Sequence, residues 1–295
     1  VKHPRRRAEA ALVVNTIIWG STFVVVKEAL RDVSPVLFLA LRFSLAALAL
    51  LVLFRGAWSH PRKPRWSLSG GAIAGGFLFA GYAFQTIGLQ FTTAPKSAFL
   101  TGLTTVMVPL LGALVSWKPP RAIEVGGVLT ATCGMALMTL PAGTLAINRG
   151  DLLTVCCAAC YAAHILTLSH YSADASFELL STAQIAVSAL LAWALFRWME
   201  VPHIRWTPGV WVAVLLTGLL ATALAFTFQA WAQRYTTSTR TAVIFTLEPV
   251  FAWITSYLLA GESLAPRAAG GAGLILAGIL LVELKPFDRR RHPCR

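Results

Sequence analysis

Two stretches of the chain repeat each other at a constant offset of 144 residues. Phe84-Gln85, Thr92-Thr93 and Ala98 recur as Phe228-Gln229, Thr236-Thr237 and Ala242. Further on, Gly126-Gly127 and Gly134 recur as Gly270-Gly271 and Gly278. Both copies are almost wholly apolar. Self-similarity of this period in a hydrophobic chain implies two homologous halves that bury their apolar surfaces in the same surroundings.

Composition identifies those surroundings. The 295 residues are 57% hydrophobic and 13% charged, with a mean hydropathy of +0.68. A soluble domain of this size could not bury so much apolar surface. A membrane-spanning helix needs roughly 20 apolar residues to cross about 30 Å of hydrocarbon. Ten stretches meet this: 10–29, 35–54, 70–90, 97–116, 122–140, 151–169, 178–197, 208–232, 240–260 and 267–284. Pro35, Pro61, Pro64, Pro119-Pro120, Pro141, Pro202, Pro208 and Pro266 punctuate the gaps. Barrel strands alternate over about 10 residues, and these longer runs do not alternate. The expected fold is an all-α polytopic membrane protein of ten helices, built as two inverted five-helix repeats around a central cavity. Residues 8–141 form the first repeat, 142–150 a connection, 151–284 the second repeat and 285–295 a basic tail. Arg5-Arg6-Arg7 resembles the start of a signal peptide. The long apolar run that follows, with Asn15 and no small-residue cleavage site, argues against one.

The net charge of +13 invites a nucleic-acid reading, but the distribution of the charge contradicts it. If the chain starts inside, Lys2, Arg5, Arg6, Arg7, Arg55, Arg62, Lys63, Arg65, Lys118, Arg121, Arg234, Arg240, Lys285, Arg289, Arg290, Arg291 and Arg295 all lie on one side. The other side holds Lys27, Arg31, Lys96, Arg149, Arg197, Arg205 and Arg267, and Arg42 falls within a helix. The positive-inside rule therefore puts both termini in the cytoplasm of a bacterial-type inner (plasma) membrane. The basic tails then touch anionic lipid rather than nucleic acid. Five helices per half is an odd number, so the second half enters from the opposite side. Such an inverted pair can exchange the conformations of its halves and expose one central site to either face.

The residues Trp19-Gly20-Ser21 after Asn15, Leu41-Arg42-Phe43, and Leu247-Glu248-Pro249-Val250-Phe251 followed by Gly261-Glu262 resemble EamA-type domains. These belong to the drug/metabolite transporter superfamily, and within it the chain is similar to the YddG-type amino-acid exporters. The resemblance implies a cavity formed by helices 1, 3, 4, 6, 8 and 9, with helices 5 and 10 as packing or dimer elements. The copies differ at one telling place. Glu248-Pro249 is matched at the repeat offset by Thr104-Thr105, and the proline of helix 4 comes later, at Pro109.

Polar groups in a bilayer are costly, so each needs a partner or a purpose. Helical spacing puts Asn15, Trp19 and Thr22 on one face, and Phe79, Tyr82 and Thr86 on another, with Gln85 beside them. Helix 4 offers Ser97, Thr101 and Thr104; helix 6 offers Cys157, Cys160 and His164, with Tyr161 adjacent. Helix 8 offers Phe228 and Gln229; helix 9 offers Thr241, Phe245 and Glu248. From these, the expected substrate contacts are Asn15, Trp19, Phe79, Tyr82, Gln85, Thr101, Cys160, His164, Phe228, Gln229 and Phe245. Hydroxyls, amides and rings together suit a small zwitterion with an apolar side chain. The bland reading is that the same groups bond neighbouring helices. Arg42 and Glu248 both fall near mid-depth. A structural ion pair between them is expected, with proton coupling through Glu248 as the alternative. Pro109 and Pro249 are expected kinks able to gate the path. Cys156, Cys157 and Cys160 lie within one helix without a second cluster, so neither a metal nor a disulfide is expected, and Cys133 and Cys294 suggest no framework. The glycine pairs lack the Lys-Ser or Lys-Thr of a phosphate loop.

The expected activity is export of aromatic and other neutral amino acids by alternating access, without cofactor or catalysis. The expected partners are the zwitterionic substrate, the lipid bilayer and, through helices 5 and 10, a second copy of the chain. Carriage of sugar phosphates, nucleotide sugars or organic cations is the alternative. Anionic ligands call for more deep cations than Arg42, and cation exporters call for an acid where helix 1 has Asn15.

Overall fold

The computed structural model describes residues 2–58, 63–92, 94–117, 119–140, 148–260 and 266–283. Pro61, Arg62, Thr93, Lys118, Pro141, Gly261-Glu262 and the 285–295 tail with Cys294 lie outside the described residues. Ten apolar helical segments follow one another: α1 (Lys2–Ala29), α2 (Pro35–Leu53), α3 (Pro64–Gly88), α4 (Ala94–Gly102, then Thr104–Ser116) and α5 (Ala122–Thr139) form the first half. The second half holds α6 (Arg149–Tyr171), α7 (Phe177–Met199), α8 (Pro208–Gly218, a π turn over Leu219–Leu224, then Ala225–Ala232), α9 (Ser238–Phe245, then Glu248–Ala260) and α10 (Pro266–Glu283). By length and composition α1 to α4 and α6 to α8 each contain a stretch able to cross a bilayer, and α5 and α10 are shorter apolar helices. The all-helical, ten-segment architecture expected from the apolar runs is the one observed.

Local chemistry sets the ends. Pro35, Pro64 and Pro208 start their helices, where a missing N–H costs nothing. Asn148 and Asp151 cap α6 reciprocally, each side chain accepting from the other's backbone N–H at 3.0 and 2.8 Å. Ser176 and Thr237 cap α7 and α9 more simply, each hydroxyl accepting from the backbone N–H three residues on, of Leu179 and Arg240.

The inverted symmetry is explicit where α5 meets α10. A Cβ placed on Gly134 would lie 2.6 Å from the Gly271 carbonyl oxygen, and one on Gly278 would lie 2.6 Å from that of Gly127. Gly127 and Gly271 are repeat mates, as are Gly134 and Gly278. The two contacts therefore interchange when the halves are swapped. Only glycine lets two backbones approach this closely, and in a bilayer such packing is a main source of helix association.

A second symmetric feature is a break in α4 and α9 at mated positions. Leu103 N–H donates to Leu100 O at 3.2 Å, and its mate Leu247 donates to Ile244 O at 3.0 Å. Both helices tighten for one turn and restart. In α9 the cause is Pro249, which has no N–H for the carbonyl four residues back. In α4 the proline is not at the break: Pro109 lies inside the second segment. Instead Thr104 Oγ1 takes the freed Thr101 carbonyl at 2.6 Å.

Two apolar cores flank these broken helices. One gathers Phe38, Leu39, Phe43, Leu78 and Ile185 from α2, α3 and α7, with Val210 and Phe226 of α8. The other gathers Leu12, Val128, Met135, Val243 and Ile275 from α1, α5, α9 and α10. Loops tie the halves at both faces. At one face the Glu200 carboxylate accepts from the N–H groups of Val36 and Leu37 at 2.9 and 2.8 Å, and Ser34 N–H donates to His203 O at 3.0 Å. At the other, which carries the amino terminus and is called the basic face below, Lys63 pairs with Asp174 at 3.0 Å. There Ser176 N–H also donates to Ser67 Oγ at 3.0 Å.

The seam makes a direct expectation. Gly134→Ala and Gly271→Ala each force backbone apart, at a cost of about 1–3 kcal/mol. Thermal unfolding in detergent should fall by at least ~2–4 °C for each. Gly126→Ala and Gly273→Ala, where an added methyl meets nothing within 4 Å, should leave the midpoint unchanged.

Candidate functional site

Between the two cores, α1, α2, α3, α4, α6, α8 and α9 enclose a cavity of about 110 Å³, room for several waters at roughly 10–15 Å³ each. Its wall is built from repeat mates. At the offset of 144, Tyr82 faces it with Phe226, Gln85 with Gln229, Ala98 with Ala242, Thr101 with Phe245, Thr104 with Glu248 and Thr105 with Pro249. Helices α1 and α6 follow the same logic at an offset of 142: Trp19 lines the cavity with Tyr161, and Thr22 with His164. Thr105 Oγ1 donates to Ala242 O at 3.0 Å and joins the broken helices across the middle.

The π turn of α8 fixes one side. Widening the helix redirects backbone carbonyls away from their usual acceptor role, and side chains of α1 and α2 occupy them. Trp19 Nε1 donates to Ala221 O at 2.9 Å, and Asn15 Nδ2 to Ala225 O at 2.8 Å. Arg42, 4% exposed, donates from Nε to Thr222 Oγ1 at 2.7 Å and from Nη2 to the Tyr82 hydroxyl at 3.0 Å. Its guanidinium carbon lies 4.4 Å from the Tyr82 ring centroid. Nη1 makes no hydrogen bond among the described residues.

Aromatic rings form a continuous belt. Trp19 contacts Phe245 and Phe226 with centroids 4.9 and 5.4 Å apart, Phe226 contacts Tyr82 at 6.1 Å, and Tyr82 contacts Tyr161 at 5.5 Å. The His164 ring stands edge-on to Phe226 at 5.6 Å. Its Nε2 donates to Gln184 Oε1 at 2.8 Å, which holds the imidazole from behind. Gln85 is satisfied on both amide atoms, donating to Thr101 Oγ1 at 3.1 Å and accepting from the Tyr161 hydroxyl at 3.3 Å. Its mate Gln229 donates to Gln233 Oε1 at 3.1 Å, but its own Oε1 is buried without a partner.

The expected Arg42–Glu248 ion pair is not formed. Both residues line the cavity, but the guanidinium is held by Thr222 and Tyr82, and the Glu248 carboxylate has no hydrogen bond or ion pair among the described residues. The two charges are thus separate features of one wall.

Of the residues singled out in the sequence, Trp19, Tyr82, Gln85, Thr101, His164, Gln229, Phe245, Arg42, Glu248 and Pro249 reach the cavity. Asn15, Phe79, Cys160, Phe228 and Pro109 do not line it. Asn15 binds the backbone of α8, and Phe79 packs in the first core. Cys156, Cys157 and Cys160 are free thiols. Among the wall residues the sequence reading missed are Phe226, Thr105, Val26 and Ile165. Phe226 lies three residues before Gln229 and shares its face, whereas Phe228 does not, so helical spacing alone could have found it.

Toward the basic face the cavity ends on Ile165, Gln229 and Ala242, all buried. Beneath them Gln233 Nε2 donates to Ile165 O at 2.9 Å, and Glu9 lies 3.7 Å from the buried Arg240. Toward the other face the wall includes the half-buried Val26 and Ala98. Buried residues thus close the basic side, and the other end is lined by the buried Thr86 and Leu89 together with these half-buried groups.

Comparison with known proteins agrees with this architecture. An uncharacterized transporter of Archaeoglobus fulgidus is 35% identical over 281 residues, covering 95% of this chain and 87% of its own. The uncharacterized transporter YoaV of Bacillus subtilis is 24% identical, over 94% of this chain and 96% of its own. A probable terminal-alkyne amino-acid exporter of Streptantibioticus cattleyicolor is 23% identical, over 97% and 96%. A crystal structure with 18% identity superposes with a TM-score of 0.78 over 95% of this chain and 97% of that one, which shows a shared fold. Residues 6–140 and 148–284 each match the EamA-like transporter family. The chain belongs to that family, within the drug/metabolite transporter superfamily, and is a multi-pass membrane transporter.

Proposed function

We propose that the protein exports amino acids, aromatic and other neutral ones, by alternating access across a bacterial-type inner membrane with both termini in the cytoplasm. The observation that carries this is a cavity wall holding one cation and one acid that do not pair with each other. Arg42 offers Nη1 to a carboxylate. Glu248 offers its carboxylate to an ammonium group. The ring belt of Phe245, Trp19, Phe226, Tyr82 and Tyr161 accepts an apolar side chain. A free amino acid carries all three features in one small molecule. The name of the Streptantibioticus relative supports the same substrate class.

An organic cation is the second reading, favoured by the same rings together with Glu248. Arg42 separates the two, because it adds nothing for a cation. Sugar phosphates fit less well: one guanidinium already engaged on two sides is a poor match for a dianion.

Proteoliposomes loaded with labelled phenylalanine, leucine, tetraphenylphosphonium and glucose 6-phosphate test the choice. Efflux of the two amino acids is expected; movement of the cation or the sugar phosphate without them would contradict the reading. Tyr82→Ala and Trp19→Ala should each raise the KM for phenylalanine about 2–12-fold, the equivalent of roughly 0.5–1.5 kcal/mol for a lost ring contact. Arg42→Gln should reduce amino-acid transport by tenfold or more, and equal transport in variant and parent would remove Arg42 from the site.

A further inference from the structure

Glu248 stands where α9 restarts after its break, and its backbone is held firmly. A Cβ on Gly20 of α1 would lie 2.7 Å from the Glu248 carbonyl oxygen and 2.9 Å from Ala252 N. The side chain therefore projects from a fixed point into the cavity. Its repeat mate Thr104 is neutral and engaged, its one hydroxyl proton shared between Thr101 O and Ala158 O at 2.6 and 3.2 Å. The acid is thus present once per transporter.

The titratable and charged groups around it come from three other helices. They are Arg42 of α2, Tyr82 of α3, and Cys157, Tyr161 and His164 of α6. Arg42 is bonded to Thr222 and Tyr82, Tyr161 donates to Gln85, and His164 donates to Gln184. Cys157 is a buried thiol. α1 and α4 present Trp19, Thr104 and Thr105, which carry no charge. None of these groups gives Glu248 a hydrogen bond.

A bare carboxylate at mid-depth in a bilayer is expensive. Two things can relieve it in this cavity: a proton, or the cationic end of a bound molecule. They compete for the same oxygens, so one excludes the other. The first turn of a helix carries roughly half a positive charge, which keeps the anionic form accessible during the exchange.

We propose that the Glu248 carboxyl holds a proton and the substrate ammonium in turn, so that each amino acid leaving the cell is exchanged for one proton coming in. The proposal rests on the amino-acid reading of the same cavity. Open to the cytoplasm, Glu248 gives up its proton as the ammonium group binds. Open to the outside, the amino acid departs and a proton takes its place. No covalent bond changes. A net zwitterion moves outward and one proton inward, so each cycle carries one positive charge inward.

Two measurements on the purified full chain test this. In weakly buffered detergent solution, phenylalanine should release up to one proton per wild-type molecule, and Glu248→Gln should release none. In proteoliposomes with the potential clamped, an acid lumen one pH unit below the bath should drive phenylalanine inward up to about tenfold above equilibrium. A protonophore should abolish that accumulation. Glu248→Asp should remain gradient-driven with a shifted pH profile. Glu248→Gln, checked for folding by its unfolding midpoint, should keep at most a weakened exchange that no longer responds to pH. Gradient-driven accumulation by Glu248→Gln, or proton release equal to wild type, would overturn the proposal. So would wild-type exchange that ignores the gradient. If the wild type exchanges no amino acid at all, the export reading falls and the proposal falls with it; intact exchange without coupling removes the proposal alone.

Discussion

A chain that crosses a bilayer must satisfy its polar groups from within itself, because hydrocarbon supplies no partners. That constraint orders most of what is seen. Trp19, Asn15 and Arg42 all reach for the π turn of α8, whose carbonyls and hydroxyl would otherwise face an apolar interior. Thr104 takes the carbonyl freed at the break in α4. His164 Nε2 donates to Gln184 Oε1 behind the cavity wall. Against this background the few unsatisfied groups stand out. Other buried polar atoms without a partner among the described residues, such as Asn15 Oδ1, Ser181 Oγ and Gln184 Nε2, lie behind the wall or away from it. The Glu248 carboxylate, Arg42 Nη1 and Gln229 Oε1 belong to residues that line the cavity, where a substrate can reach them.

Symmetry and its violations divide the labour. The shared residues make the frame: Gly127, Gly134, Gly271 and Gly278 let α5 and α10 lie backbone to backbone, and α4 and α9 break at mated leucines. The cavity wall is also made of mates, but there the pairs have diverged. Tyr82 opposes Phe226, Thr101 opposes Phe245, and Thr104 opposes Glu248. A wall built on a two-fold axis yet chemically unequal can grip an unsymmetrical molecule by both ends. The seal on one side follows the same pattern. Gln229 and Gln233 close the cavity toward the basic face, while their mates Gln85 and Leu89 line its other end.

The fold was legible because its signals are collective. Ten apolar runs and a conserved offset survive any local misreading. The site was only partly legible. Phe228 drew attention because it is identical to Phe84, but identity between halves marks what both share structurally, and the cavity-facing ring is Phe226, where the halves differ. The π turn has no proline or glycine in Leu219–Leu224 to announce it, so nothing in the sequence showed that Asn15 and Arg42 would be drawn to α8. The ion pair expected from depth alone failed for that reason. Depth places two charges at one level, but the hydrogen-bond partners around them decide whether they meet. Pro249 did mark a break, whereas Pro109 did not, because in α4 the turn is held by a threonine instead.

The two-fold exchange of conformations is open to direct measurement with cysteines at a mated pair, Ala98→Cys and Ala242→Cys, each in a background without the five native cysteines. These positions lie at opposite ends of one cavity. With an impermeant thiol reagent applied to one side at a time, Ala98→Cys should react only from the side opposite the basic face, and Ala242→Cys only from the basic side. Conditions that raise labelling of one should lower labelling of the other. Simultaneous full labelling of both, or an Ala242→Cys that never reacts while transport proceeds, would contradict alternating exposure of a single site.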